Sequence, residues 1–75
     1  MDQPSRLLLL VDVAELGSFS EAAKRRELDR SVVSKHIARL EQELGVRLLN
    51  RSTRSLSLTQ AGQAMVQQGR ELRDW

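Results

Sequence analysis

The segment RSVVSKHIARLEQEL, residues 30–44, constrains this chain more than any other. Its apolar positions, Val33, Ile37, Leu40 and Leu44, are spaced so that they share one stripe of an α-helix. The other face of the first turns carries Arg30, Ser31, Ser34, Lys35 and Ala38, and no acid falls between Arg30 and Leu40. A helix of this kind buries its stripe and leaves a cationic, hydroxylic face free. That face suits a DNA major groove, where cations neutralise phosphate and short polar side chains reach base edges. A solvated helix face has a similar pattern, so the neighbouring segments decide between the two.

Charge distribution favours the first reading. The whole chain of 75 residues carries only +2. Residues 20–54 hold nine cations against five acids, and the remainder holds three against five. The positive charge therefore sits in the middle of the chain, as expected of a part that meets a polyanion. The chain has no cysteine, which excludes disulfides and thiolate metal sites. Its longest apolar run, 7–11, is too short to span a bilayer. Residues 1–5 lack the regions of a signal peptide. A cytoplasmic address and no membrane partner are expected.

Taken in order, residues 4–16 read as a first helix with Pro4 in its opening turn. Its wide apolar face makes it the most buried element, and Gly17 suits its left-handed end. The second helix, SEAAKRRE, is expected to be capped by Ser20 in preference to Ser18. Phe19, Ala22 and Ala23 should face the core, with Lys24, Arg25 and Arg26 turned outward. Leu28 plugs the connection, and Asp29 is placed to cap the organising helix. A short helix, a tight turn and a longer amphipathic helix make a helix-turn-helix, here at 19–38.

Gly45 stops the third helix. From 46 to 59 the periodicity changes to two, with Leu56 and Leu58 alternating with Ser55, Ser57 and Thr59. A small β-hairpin is expected, with strands at about 49–51 and 56–58. Its acid-free tip, Asn50 to Arg54, suits minor-groove or phosphate contact. Thr59 should cap a fourth helix from Gln60 to about Arg73. Leu58, Ala61, Met65, Gln68, Leu72 and Trp75 lie along one line of it, a coiled-coil-like seam. Gly62 and Gly69 each weaken a helix by about 1 kcal/mol relative to alanine. A helix so weakened, protruding from an already closed core, is expected to pair with a second copy through Ala61, Met65, Gln68 and Leu72. The chain stops at Trp75 without a capping signal, as expected of part of a longer protein.

The segments GSFSEAA (17–23), VVSKHIARLEQELGVRLLNR (32–51) and TRSLSLTQAG (53–62) resemble the N-terminal DNA-binding domain of LysR-type transcriptional regulators. The resemblance implies a mainly α fold. A winged helix-turn-helix at 1–59, with its wing at 46–58, is followed by a linker dimerisation helix at 60–75. An effector-binding domain that takes a small-molecule inducer would follow, and full-length members are often tetramers that bend promoter DNA. No cofactor is implied for these 75 residues. By position, the family's groove contacts fall on Arg30, Ser31, Val32, Ser34 and Lys35, and its wing contacts on Arg51, Ser52, Thr53 and Arg54. Arg39, from the same basic segment, completes the candidate DNA contacts.

The chain departs from the family at several places. Arg30-Ser31 stand where the family often has Gln-Pro or Gln-Ser, and arginine favours guanine or phosphate. Arg26 stands where leucine is usual, so an apolar plug is lost or the arginine stem must snorkel. Leu10 and Leu49 replace aromatics, which should loosen the packing slightly.

An enzyme is not expected. His36 is the sole histidine, and it lies in a basic helix without a ligand cluster. It reads as a surface or groove-rim residue. Glu41 and Glu43 face different ways and should pair with local arginines. The expected function is sequence-specific DNA binding by a homodimer on a dyad-symmetric operator. The alternative is a winged helix that docks a protein and binds no DNA.

Overall fold

The computed structural model describes residues 1–50 and 56–75. Four helices occupy Gln3–Leu16 (α1), Phe19–Arg26 (α2), Arg30–Leu44 (α3) and Gln60–Arg73 (α4). Two short strands, Leu49–Asn50 (β1) and Ser57–Leu58 (β2), pair antiparallel, with Leu49 opposite Leu58 and Asn50 opposite Ser57. The fold is therefore mainly α with a small hairpin, as the sequence implied. The hairpin's expected tip, Arg51, Ser52, Thr53 and Arg54, lies outside the described residues.

α1 is the central element. Leu9, Leu10, Val11 and Val13 are fully buried, so it meets neighbours on most of its circumference. Ala22 and Ala23 of α2 and Val33, Ile37 and Leu40 of α3 close the core from one side, and Leu48, Leu49 and Val66 from another. Leu10 and Leu49, which replace the usual aromatics, are 0% and 1% exposed, so leucine fills both sites without leaving them open to solvent.

Helix ends differ in detail from expectation. α1 begins a residue early because Asp2 caps it, accepting from the Ser5 N–H at 2.9 Å. Ser18, not Ser20, caps α2, accepting from the Glu21 N–H at 3.2 Å. Ser18 has extended backbone angles, so the helix starts at Phe19 and Ser20 lies inside its first turn. Asp29 occupies the N-cap position of α3, but its side chain makes no capping bond. Its carbonyl instead accepts from Val32 and Val33. Glu27 ends α2 in the left-handed region at φ 55°, and Leu28 N–H closes back onto the Ala23 carbonyl at 2.8 Å.

The largest correction concerns α4, which does not protrude from a closed core. Gly62, Val66 and Gly69 form its buried face, and Val66 belongs to the core. A Cβ on Gly69 would sit 2.5 Å from Val11 Cγ2 and 3.2 Å from Leu7 Cγ. A Cβ on Gly62 would overlap the Leu48 carbonyl. The glycines that lower helix propensity are what let α4 lie close against α1 and the start of the hairpin.

Candidate nucleic-acid interface

The three-residue turn 27–29 joins α2 to α3 and makes the expected helix-turn-helix. Burial of Val33, Ile37 and Leu40 orients α3. On its other side Arg30, Ser31, Lys35, Ala38 and Arg39 are exposed, and Val32 and Ser34 are half-buried. The predicted groove contacts at the start of α3 therefore lie together. The Arg30 guanidinium lies 5.8 Å from the centre of the Phe19 ring, within cation–π range. Phe19 at the start of α2 thus steadies the first cation of α3, a role that its reading as a core residue missed.

Arg39 is exposed but engaged. Its Nε donates to Glu43 Oε2 at 3.3 Å, and Arg6 of α1 donates to Glu43 Oε1 at 3.0 Å. Glu43 is thus shared between a local arginine and one from α1. Arg6, Lys35, His36, Ala38, Arg39 and Gln42 line an open cleft beside α3. His36 is half-buried on this rim. Burial first, then the N-terminal ammonium and Arg6, hold its imidazole below the ordinary 6.5. At neutral pH it offers hydrogen bonds without charge.

Two acids support the site from within; the pairing of Glu41 with a local arginine was expected, but its hold on β1 and the role of Asp12 were not legible in the sequence pattern. Glu41 is buried. Its Oε2 accepts from the Leu48 N–H at 2.8 Å and the Leu49 N–H at 3.4 Å, with Arg47 Nε at 3.8 Å. One carboxylate thereby ties the end of α3 to β1 and sets where the hairpin departs. Asp12 is also buried. Arg26 Nε donates to its Oδ2 at 2.6 Å, and Arg25 lies 3.7 Å from Oδ1. Arg26 is exposed, as expected, yet its Nε reaches back to α1, because a buried carboxylate requires a charged partner. At the far side of the hairpin, Thr59 Oγ1 accepts from the Gly62 N–H at 3.0 Å and donates to the Arg47 carbonyl at 2.6 Å.

The predicted dimer seam divides. Ala61 and Met65 are half-buried against their own core, whereas Gln68 and Leu72 are exposed. Among the described residues, no group of three or more His, Cys, Asp or Glu could hold a metal. No helix among them is long and apolar enough to cross a membrane.

A helix-turn-helix with a cationic outer face, a hairpin behind it and a closely docked fourth helix defines the winged helix-turn-helix class. Residues 4–63 match the bacterial regulatory helix-turn-helix proteins of the lysR family, and the chain belongs to that family. It is 43% identical over 67 residues to the HTH-type transcriptional activator AaeR of Escherichia coli K12, covering 89% of this chain and 22% of AaeR. It is 54% identical over 56 residues to the HTH-type transcriptional regulator CrgA of Neisseria meningitidis, covering 75% of this chain and 19% of CrgA. The chain thus spans about a fifth of the length of these relatives. A crystal structure of a BenM DBD/catB site 1 DNA complex superposes with a TM-score of 0.90 at 32% identity, over 99% of this chain and 82% of the other.

Proposed function

We propose that this chain is the DNA-reading part of a transcription regulator, binding a dyad-symmetric operator as a homodimer. Residues 1–59 form the winged helix-turn-helix and 60–75 the linker helix that joins two copies. α3 enters the major groove with Arg30, Ser31, Val32, Ser34 and Lys35 at its leading end. Arg39 lies further along the phosphate track, and Arg51, Ser52, Thr53 and Arg54 reach the minor groove or phosphate. The exposed cationic face at the start of α3, acid-free from Arg30 to Leu40, carries this reading. The DNA complex formed by the similar BenM DBD supports it.

The test is binding to a mixed pool of duplexes across a salt series, with sequencing of the retained fraction. Each neutralised phosphate contributes a slope of about −0.9 in log affinity against log salt. A steep slope with an enriched dyad motif is expected. Absence of binding at low salt would favour a protein-docking module instead. Arg30→Ala and Lys35→Ala should each weaken binding and leave the melting temperature nearly unchanged, since both side chains are exposed. Full affinity in both variants would remove α3 from the interface.

A further inference from the structure

The apolar docking of α4 ends at Gly69, and residues 70–75 are all exposed. The last turn of α4 nevertheless stays against α1. Arg70 Nε donates to Glu15 Oε2 at 3.1 Å, and Arg73 Nη1 donates to Glu15 Oε1 at 2.8 Å. Each oxygen of one carboxylate takes one arginine, and the arginines are spaced i, i+3 on the same side of α4. Leu72 lies between them, 44% exposed. Asp74 also approaches Arg73, at 3.5 Å, but it is the C-cap residue of α4 and cannot tie that helix to α1.

We infer that Glu15 is a positioning residue that holds the last turn of α4, with Leu72 on it, at a fixed angle to the helix-turn-helix. An isolated exposed ion pair adds little stability. The effect here is directional. With Glu15 neutralised, Arg70 and Arg73 repel each other, and among the described ion pairs none holds this turn to α1. The consequence for DNA rests on the reading that two copies join through α4. The angle of α4 then sets the separation of the two α3 helices, and so the half-site spacing the dimer accepts.

The chain has no cysteine, so spin labels at Ser20→Cys on α2 and Glu71→Cys on α4 report that angle. The labelled chain is diluted into unlabelled chain so that only distances within one copy are read. A single narrow distance is expected in the parent and a broadened one in Glu15→Gln. A narrow one should return in the charge-reversed combination Glu15→Arg, Arg70→Glu and Arg73→Glu. An unbroadened distance in Glu15→Gln overturns the inference. Duplexes with one half-site, or with two at varied spacing, test the consequence. Glu15→Gln should keep its affinity for one half-site. Its preference for the best spacing over its neighbours, which depends on the match between linkage and span, should fall about tenfold. An unchanged spacing preference breaks the link to operator geometry. A parent chain that holds no half-site defeats the DNA reading, and the distance measurement still decides the role of Glu15.

Discussion

Asp12 sits in the middle of the most apolar helix with its side chain 9% exposed. Burying a carboxylate there calls for a partner, and Arg26 closes on it at 2.6 Å with Arg25 nearby. Position 26 was expected either to lose an apolar plug or to snorkel, and the arginine there stays exposed. Its guanidinium is answered from α1 by Asp12. Removing one partner should therefore cost more than removing both. Arg26→Leu is expected to destabilise the chain by about 2 kcal/mol. That is below the 3–5 typical of a broken buried pair, because Arg25 remains and Arg26 is one-third exposed. Asp12→Leu combined with Arg26→Leu should recover most of the loss in denaturant unfolding. Additive losses would show that the two side chains do not act as a pair. The pairing was not readable from position, since Asp12 and Arg26 are 14 residues apart and no sequence period links them.

At the scale of elements, the joint between α1 and α4 decides how the molecule is built. Alanine normally exceeds glycine in a helix by about 1 kcal/mol. At Gly69 the added methyl would meet Val11 and Leu7, an overpacking that typically costs about 1–3 kcal/mol. Gly69→Ala is thus expected to lower the melting temperature in spite of its better propensity, and a rise would mean that α4 can lift from α1. The same joint depends on pH through Glu15. Hydrogen bonds from Arg73 and then Arg70 hold its carboxyl below the ordinary glutamate value, and Glu15 in turn raises Arg73. A lowered carboxylate stabilises the folded joint at neutral pH and loses that contribution as pH falls through the ordinary range and below it. Amide exchange in the last turn of α4, corrected for intrinsic rate, should be steady near neutrality and accelerate only under acid conditions. Equal acceleration in Glu15→Gln would dissociate the effect from this residue.

Over the whole molecule, α4 has a buried side and an exposed one. Gly62, Val66 and Gly69 face inward, and Gln68, Leu72 and Trp75 remain outside. Met65 is half-buried against its own core, so aspartate there would disturb the fold as well as any pairing. Leu72 is the cleaner probe. Leu72→Asp should move the chain toward monomer in sedimentation while leaving its affinity for a single half-site unaltered. A dimer that persists would place the contact elsewhere.

The stripe of Val33, Ile37 and Leu40, the glycine stops at 17 and 45, and the change of period after residue 46 determined the helices, the turn and the hairpin from sequence alone. Local periodicity and capping suffice for those features, because each is set by residues within a few positions of one another. The cationic end of α3 was legible for the same reason, since one helical face is a local property. Tertiary structure alone decided that Ser18 caps α2, that Arg26 bonds to Asp12, that Glu41 holds β1, and that α4 docks through its glycines. The capping choice turns on the backbone angles of Ser18. The other three depend on side chains or backbones brought within a few ångströms by packing, across separations that carry no period in the chain.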